Sequence, residues 1–258
     1  MQELKFSVVT VVYNGEAVIR KTIESVLTQT VSPFEYVIID GKSKDNTLTI
    51  IKQYIGKFES KGIKVKLVSE PDTGIYNAMN KSISMIEGDF VSFINAGDWY
   101  LEDALEKIQS FYNHEAFDLT YGSLKYIRPD GTSIIKKSRL DKIVISSRNW
   151  NHPSMFLRLD YYKHHMFDES FKVYADFDLY LSLRKMDGIK IKVINEVITN
   201  FVADGVSTST NLHNLVKRMS EKYRAYRKNG YSRLYFFEAY GWEVFKVLYF
   251  KLNSLLNN

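Results

Sequence analysis

The chain has no cysteine in 258 residues. That excludes a disulfide scaffold, a thiol nucleophile and any zinc or iron–sulfur site built on cysteine. It fits a reducing compartment. Proline is sparse, with four in the chain, and no Pro/Gly-rich linker, internal repeat or low-complexity tract marks a domain boundary. No apolar run is long enough to span a bilayer. The opening Met1-Gln-Glu-Leu-Lys-Phe enters a strand-like run at once, so no signal peptide is expected. The GxGxxG fingerprint is missing after the first strand, which removes the main support for a dinucleotide-binding reading. Gly41-Lys42-Ser43 imitates the end of a phosphate loop, but Tyr36 stands where that motif needs its first glycine. His114, His152, His164, His165 and His213 show no metal-ligand spacing.

What is present is an ordinary globular composition, 45% hydrophobic and 25% charged. The net charge of +5 is too mild for a nucleic-acid binder, so no nucleic acid is expected as partner. Much of the basic excess sits late, in Lys217, Arg218, Lys222, Arg224, Arg227, Lys228 and Arg233. A localised basic tail points to an anionic surface or ligand. Aromatic residues reach 14%, which suits sugar or base stacking, although most must be core.

The first half alternates between two periodicities. Phe6 to Val12 is continuously apolar and β-branched, as a strand buried on both faces should be. Val18, Ile19, Ile23, Val26 and Leu27 then recur at helical spacing, giving a helix over 16–29. The same alternation predicts strands at 36–39, 64–69 and 89–95 and helices at 47–58, 75–86 and 101–112. Four strand–helix units imply a parallel α/β sheet, with ligands gathered at the carboxyl ends of its strands. Tyr13, Asn14, Asp40, Glu70, Asp72, Asn95 and Asp98 fall there. The second half reads as a hairpin (119–127 with 132–136), a loop entering a strand over 149–158, a helix at 176–185 and a strand at 190–202. After Ser209 the pattern is helical to the end.

Each acid has a structural and a chemical reading. Asp40 caps a turn or accepts bonds from a base or ribose. Asp98 caps the next helix or serves as an oxygen ligand to a hard cation that bridges two phosphates. Asp176 is the natural N-cap of its helix or a general base at a helix start, whereas Asp178 is expected on another face, in solvent or interacting with the helix dipole.

In their order, FSVVTVVYNGE with SVLTQT, EYVIIDGKSKDNT, SEPDTGIYNAMNKSI, GDFVSFINAGDWY, NHPSMFLR and YADFDLYLSLR resemble the inverting nucleotide-sugar glycosyltransferases of family two, over about residues 5–210. The bacterial surface-polysaccharide branch is the most similar. The resemblance implies a GT-A fold, α/β with a mostly parallel sheet flanked by helices, carrying a C-terminal helical extension. It implies that Thr10, Tyr13 and Asp40 hold the nucleotide, with Glu70 and Asp72 bordering the ribose and sugar. Asp98 matches the metal-binding acid, for Mn²⁺ or Mg²⁺, and Asp176 the catalytic base. Asn95, Trp99 and His152 fall in the donor/acceptor loops, and His152 begins the loop that closes over both substrates. Asn95 and Gly97 replace acids common in the family, leaving one strong metal carboxylate, and Asn77 and Ser82 stand where Asp and Gly are frequent.

The expected activity is transfer of a hexose or N-acetylhexosamine from a nucleotide sugar, with UDP as the nucleotide, to a saccharide acceptor of a polyprenyl-diphosphate-linked type. Residues 1–210 would form the catalytic domain, 1–115 the nucleotide half and 116–210 the acceptor half, with 211–258 as the basic, aromatic extension. A cytoplasmic location follows, peripheral on the inner face of the membrane if the extension binds lipid. The sequence leaves open whether the extension does so, packs on the core or joins a homodimer. Two other readings stand: a sugar-nucleotide pyrophosphorylase, for which YNGEAVIRK is a poor basic glycine loop, and a non-catalytic binding protein on the same fold.

Overall fold

The computed structural model describes residues 3–203 and 211–241. They form two compact units. One comprises the residues up to Phe167 together with Asp187–Ala203, and the other Asp168–Met186 together with the C-terminal segment.

The first unit is built on one nine-stranded sheet. Its chain order is β1 (Phe6–Val12), α1 (Ile19–Leu27), β2 (Glu35–Asp40), α2 (Thr47–Ser60), β3 (Lys64–Ser69), α3 (Ile75–Ile83), β4 (Phe90–Phe93), β5 (Trp99–Tyr100), α4 (Ala104–His114), β6 (Leu119–Ile127), β7 (Ser133–Lys136), β8 (Met155–Arg158), α5 (Leu159–His164) and β9 (Ile191–Val202). The spatial order is β3-β2-β1-β4-β8-β6-β9-β5, with β7 pairing to the free half of β6. The first four of these run parallel, as the alternating periodicities require. All seven residues of β1 and all six of β2 are buried, which is why they read as unbroken apolar runs. α1 buries Ile19, Ile23 and Val26 against them, while Tyr54 and Phe58 of α2 close the same core.

The second half departs from simple winding. β8 runs antiparallel between β4 and β6, and β6 pairs parallel with β9. The two-residue β5, which the sequence pattern did not show, pairs antiparallel with Thr199 and Asn200. The Leu101 amide prolongs that ladder by donating to the Ile198 carbonyl (2.9 Å), so α4 starts at Ala104 and not at Leu101. At the amino-terminal edge of the sheet the buried Glu35 carboxylate accepts from Ser7 Oγ (2.7 Å) and the Glu87 amide (2.6 Å) and pairs with Lys66 (2.8 Å). Burial pushes its pKa up, but these donors outweigh it and leave the group below the ordinary carboxylate range.

The second unit packs α6 (Ala175–Leu183) with α7 (Leu212–Lys228) and a helical turn at Phe237–Gly241. α6 is buried almost all round, the pattern of a core helix. Phe177 meets Tyr226 edge-on at 5.4 Å, and Tyr226 donates to Glu238 (2.9 Å). The expectation of helix to the chain end holds through α7; residues 242–258 lie outside the described residues.

Candidate active site

The parallel strands end in register: Val12 is level with Asp40, and Asp40 with Ser69. Beyond these ends the chain folds into two loops stitched to each other. The Asn14 amide donates to Ser43 Oγ (2.8 Å) and the Lys44 amide to Asn14 Oδ1 (2.8 Å). Gly15 and Glu16 donate to Thr47 Oγ1 and Asp45 Oδ2. Asn14 (φ +49°) and Lys42 (φ +62°) are the only described non-glycine residues in left-handed conformation. Asparagine tolerates this region. Lysine does so at a cost of about 1–3 kcal/mol, held by its surroundings. Strain of this kind concentrates at ligand sites.

Between the loops lies Gly41. A β-carbon there would stand 2.4 Å from Asp72 Oδ2 and 3.4 Å from Tyr13 Cβ. Tyr13, Gly41 and Asp72 therefore converge just past the strand ends, with Tyr13 more than half exposed. Asp72 Oδ1 is fixed by the Gly74 amide (2.9 Å). The Asp40 carboxylate is fully buried beneath them and accepts from the Ser43 amide (3.2 Å) and Ser69 Oγ (2.5 Å). Its turn-capping role is thus realised. Glu70 is exposed at the next position and pairs with Lys81 of α3 (2.8 Å).

A second cluster follows β4. Gly97 has φ +103°, a conformation L side chains rarely adopt, so an acid at this position would be strained. The turn lets the Asp98 amide reach the Asn95 carbonyl (3.1 Å). Asp98 is buried, and its Oδ1 accepts from the Val202 amide at the end of β9 (3.0 Å). Asn95 Oδ1 is buried with no hydrogen-bond partner. Trp99 carries the Lys21 ammonium over its ring at 3.2 Å. An orphaned amide oxygen and a carboxylate are hard donors that fit Mg²⁺ or Mn²⁺ when a diphosphate supplies further oxygens. Among the described residues no three His, Asp or Glu side chains group to hold an ion by themselves.

Several sequence expectations need correction. Thr10 is a core residue: it is fully buried two positions before the end of β1, and its hydroxyl accepts from Tyr36 (2.8 Å). His152, expected to begin the loop that closes over both substrates, lies in a short 3-10 turn, His152–Ser154. It is buried among Phe93, Trp150 and Phe167, with ring centroids within 5.8–6.0 Å. Asp176 is not the N-cap of α6. Tyr174 holds that position, and Asp176 sits in the first turn, accepting from the Phe177 amide (2.8 Å). Asp178 is not solvated but buried, bonded to Lys228 (2.6 Å) and Asn229 (2.8 Å). Its burial raises its pKa despite those partners. The basic tail is largely used inside its own unit: Lys228 bridges Asp168 and Asp178, Lys222 pairs with Glu238 (3.6 Å), and Arg224 lies 3.7 Å over Phe171. Buried acids need such partners.

In the sequence Gly41 stands out only as part of an imitation of a phosphate loop, and neither Ser69 nor Glu221 is marked as functional. Gly41 follows a strand-end acid directly, a legible signal for close backbone approach. Glu221 of α7 gathers the amides of Lys172, Val173 and Tyr174 (2.8–3.3 Å), ordering the segment that leads to Asp176. Its partners lie 47–49 residues away, and nothing local announces them.

Residues 7–176 match the family described as glycosyl transferase family 2. The chain belongs to that family. The chain is 27% identical over 206 residues to the chondroitin synthase of Pasteurella multocida (strain Pm70), covering 76% of this chain and 20% of that protein. It is 29% identical over 149 residues to the poly(ribitol-phosphate) beta-glucosyltransferase of Bacillus spizizenii, covering 56% and 23%. The family 2 chain thus spans about a fifth of these curated relatives. Among solved structures, S. aureus TarS 1–349 in complex with UDP-GlcNAc superposes with a TM-score of 0.66 at 20% identity, covering 88% of this chain and 65% of that one. The mannosyltransferase PcManGT of Pyrobaculum calidifontis, in complex with GDP-Man and Mn²⁺, gives 0.65 at 13%, covering 88% and 64%. The fold is the GT-A arrangement expected from the sequence.

Proposed function

We propose that this family 2 glycosyltransferase moves a hexose or N-acetylhexosamine from a UDP-sugar to a saccharide on a polyprenyl-diphosphate carrier, with inversion, in surface polysaccharide synthesis. The observation that carries the reading is the convergence of Tyr13, Gly41 and Asp72 over Asp40 at the carboxyl edge of the sheet. This is where a nucleotide is expected in such a fold. An exposed aromatic ring offers a face for a base, and carboxylates accept from base and ribose N–H and O–H groups. Relatives that make polysaccharide and a fold neighbour solved with UDP-GlcNAc support the donor class. We assign residues 1–115 to donor binding, 116–210 to the acceptor and 211–258 to an extension.

Inversion requires one in-line displacement. The acceptor oxygen forms a bond to the anomeric carbon as the bond from that carbon to the diphosphate oxygen breaks, and the electron pair leaves with UDP. The acceptor hydroxyl surrenders its proton to a carboxylate, the role given to Asp176. Asp98 and Asn95 Oδ1 would hold a divalent cation, which when bound offsets the charge developing on the leaving diphosphate. Tyr13 and Asp72 orient the nucleotide, the buried Asp40 supports them from below by holding the Ser43 turn, Glu70 lies at the ribose side, and Trp99 lies near the sugar.

Calorimetric titration of UDP with and without Mn²⁺, on the wild type and on Asp98→Asn, tests the donor and metal assignments. Asparagine keeps an acceptor for the Val202 amide. UDP binding that tightens with metal only in the wild type is the expected outcome. Equal enhancement in both removes Asp98 as ligand. Release of free UDP that depends on a saccharide acceptor is the expected sign of transfer. UDP binding without release would favour a non-catalytic protein.

A further inference from the structure

The first unit carries an exposed aliphatic and basic surface that donor chemistry does not use. By strand register Leu119 of β6 is level with Leu157, Val91 and Ser7. Leu124 is then level with Val12, the last residue of β1, so Lys125–Ile127 and their β7 partners overhang the edge where the nucleotide residues gather. On β7, Ile134 and Ile135 are half exposed. In the loop that follows, Ile143 is 90% exposed and Val144 59%. This loop is built to hold its tip out. Buried Asp141 accepts from the Ser146 amide (2.8 Å), Asn149 Nδ2 (2.8 Å) and Arg139 Nε (3.2 Å). The Arg139 amide closes the neck on the Asn149 carbonyl (2.9 Å), and Ile145 turns inward as an anchor. The charge is one-sided. From Lys125 to Arg148 there are seven basic residues and two acids, one of which is the buried Asp141. Lys125, Lys137 and Lys142 make no ion pair among the described residues, in contrast to Lys222 and Lys228 of α7.

We propose that this hairpin and loop dock the protein on an anionic lipid bilayer. Aliphatic tips enter the interface while lysines meet the headgroups, and the two contributions reinforce each other. The chemistry disfavours other occupants. Single-stranded nucleic acid is held on aromatic platforms, and this tip has none. A two-fold contact between copies would set one basic patch against its twin. The inference supplies a surface for the peripheral attachment contained in the proposed function. It is measured without donor or acceptor, so either can fail alone.

The test is co-sedimentation of the full chain with vesicles of phosphatidylglycerol and phosphatidylcholine, or of phosphatidylcholine alone, at low and high salt. Binding to the anionic vesicles at low salt, weakened about tenfold or more by salt, is expected. Ile143→Asp/Val144→Asp and Lys137→Glu/Lys142→Glu should each lose about tenfold or more in vesicle affinity, with melting temperature and UDP affinity unchanged. Three results overturn the proposal. The wild type stays in the supernatant with anionic vesicles. Lys217→Ala/Arg233→Ala abolishes binding while both hairpin variants keep it. Sedimentation velocity finds a dimer that Ile143→Asp dissolves.

Discussion

Replacing Gly41 by alanine isolates the contact on which the nucleotide site depends. The new β-carbon would stand 2.4 Å from Asp72 Oδ2 and 3.3 Å from its Cγ, whereas ordinary contact begins near 3.4 Å, so the carboxylate must retreat by about 1 Å. The obstacle is the end of a side chain rather than backbone, and Gly41 is not in the left-handed region. Alanine therefore fits the main chain, and stability should change by no more than about 1 kcal/mol. The retreat strains the Gly74 amide–Asp72 bond (2.9 Å) and carries the carboxylate away from the nucleotide. A hydrogen bond to a charged group contributes about 1.5–3 kcal/mol, so UDP affinity should fall roughly ten- to a hundredfold. Calorimetry on Gly41→Ala, Asp72→Ala and the double variant closes the cycle. If Gly41→Ala acts through Asp72, the double variant binds no worse than Asp72→Ala. Unchanged UDP affinity in Gly41→Ala, or fully additive losses, would refute the placement of Asp72 at the nucleotide.

Three further outcomes are expected. Asp176→Asn keeps an acceptor for the Phe177 amide, so it should fold and bind UDP normally while transfer falls by about 10²–10⁴; a dead Asp178→Asn beside an active Asp176→Asn would exchange the two roles. Burial pushes the Asp168 carboxyl up, but Lys228 and Ser170 outweigh it and hold the group at about 2, below its reference value of 3.8. Its stabilisation is then complete above the reference value and is lost as pH falls through about 2, with Asp178 working in the opposite sense because its pKa is raised. Thermal unfolding between about pH 4 and pH 2 should show a shallower decline in Asp168→Asn than in the wild type, and parallel curves would contradict this. Glu35→Ala removes the acceptor of the Glu87 amide and one partner each of Lys66, which keeps Glu87 Oε1 (2.6 Å), and the Gly88 amide, which keeps Ser7 Oγ (3.1 Å). It should cost about 1–2 kcal/mol in urea unfolding with UDP affinity intact, and a loss under about 0.5 kcal/mol would mean that the network contributes little.

The sequence by itself determined the winding of the first half and the place of its acids. A β-branched run buried on both faces, followed by apolar residues at helical spacing, admits few alternatives. β1 to β4 and α1 to α4 accordingly lie within a few residues of the expected bounds. Asp40, Asp72 and Asp98 were legible because a parallel sheet sends its strand ends to one edge. Whatever depended on a distant partner was not legible. Thr10 reads as a polar residue near a strand end, and only Tyr36, 26 positions on, takes its hydroxyl into the core. Asp178 reads as a solvated charge and Lys228 as part of a basic tail, but the packing of α6 with α7 buries Asp178 and brings Lys228, 50 residues on, to pair with it. His152 lies in a polar-looking loop, yet three aromatic neighbours, Phe93 and Phe167 among them far along the chain, enclose it. β5 has two residues, too few to show a period, and exists because β9 offers an open edge. Local patterns encode which faces are apolar. Which charge is neutralised, which hydroxyl is buried and which loop stays exposed depends on what tertiary packing sets against them, since the cost of burying a polar group is decided by its partner and not by its neighbours in the chain.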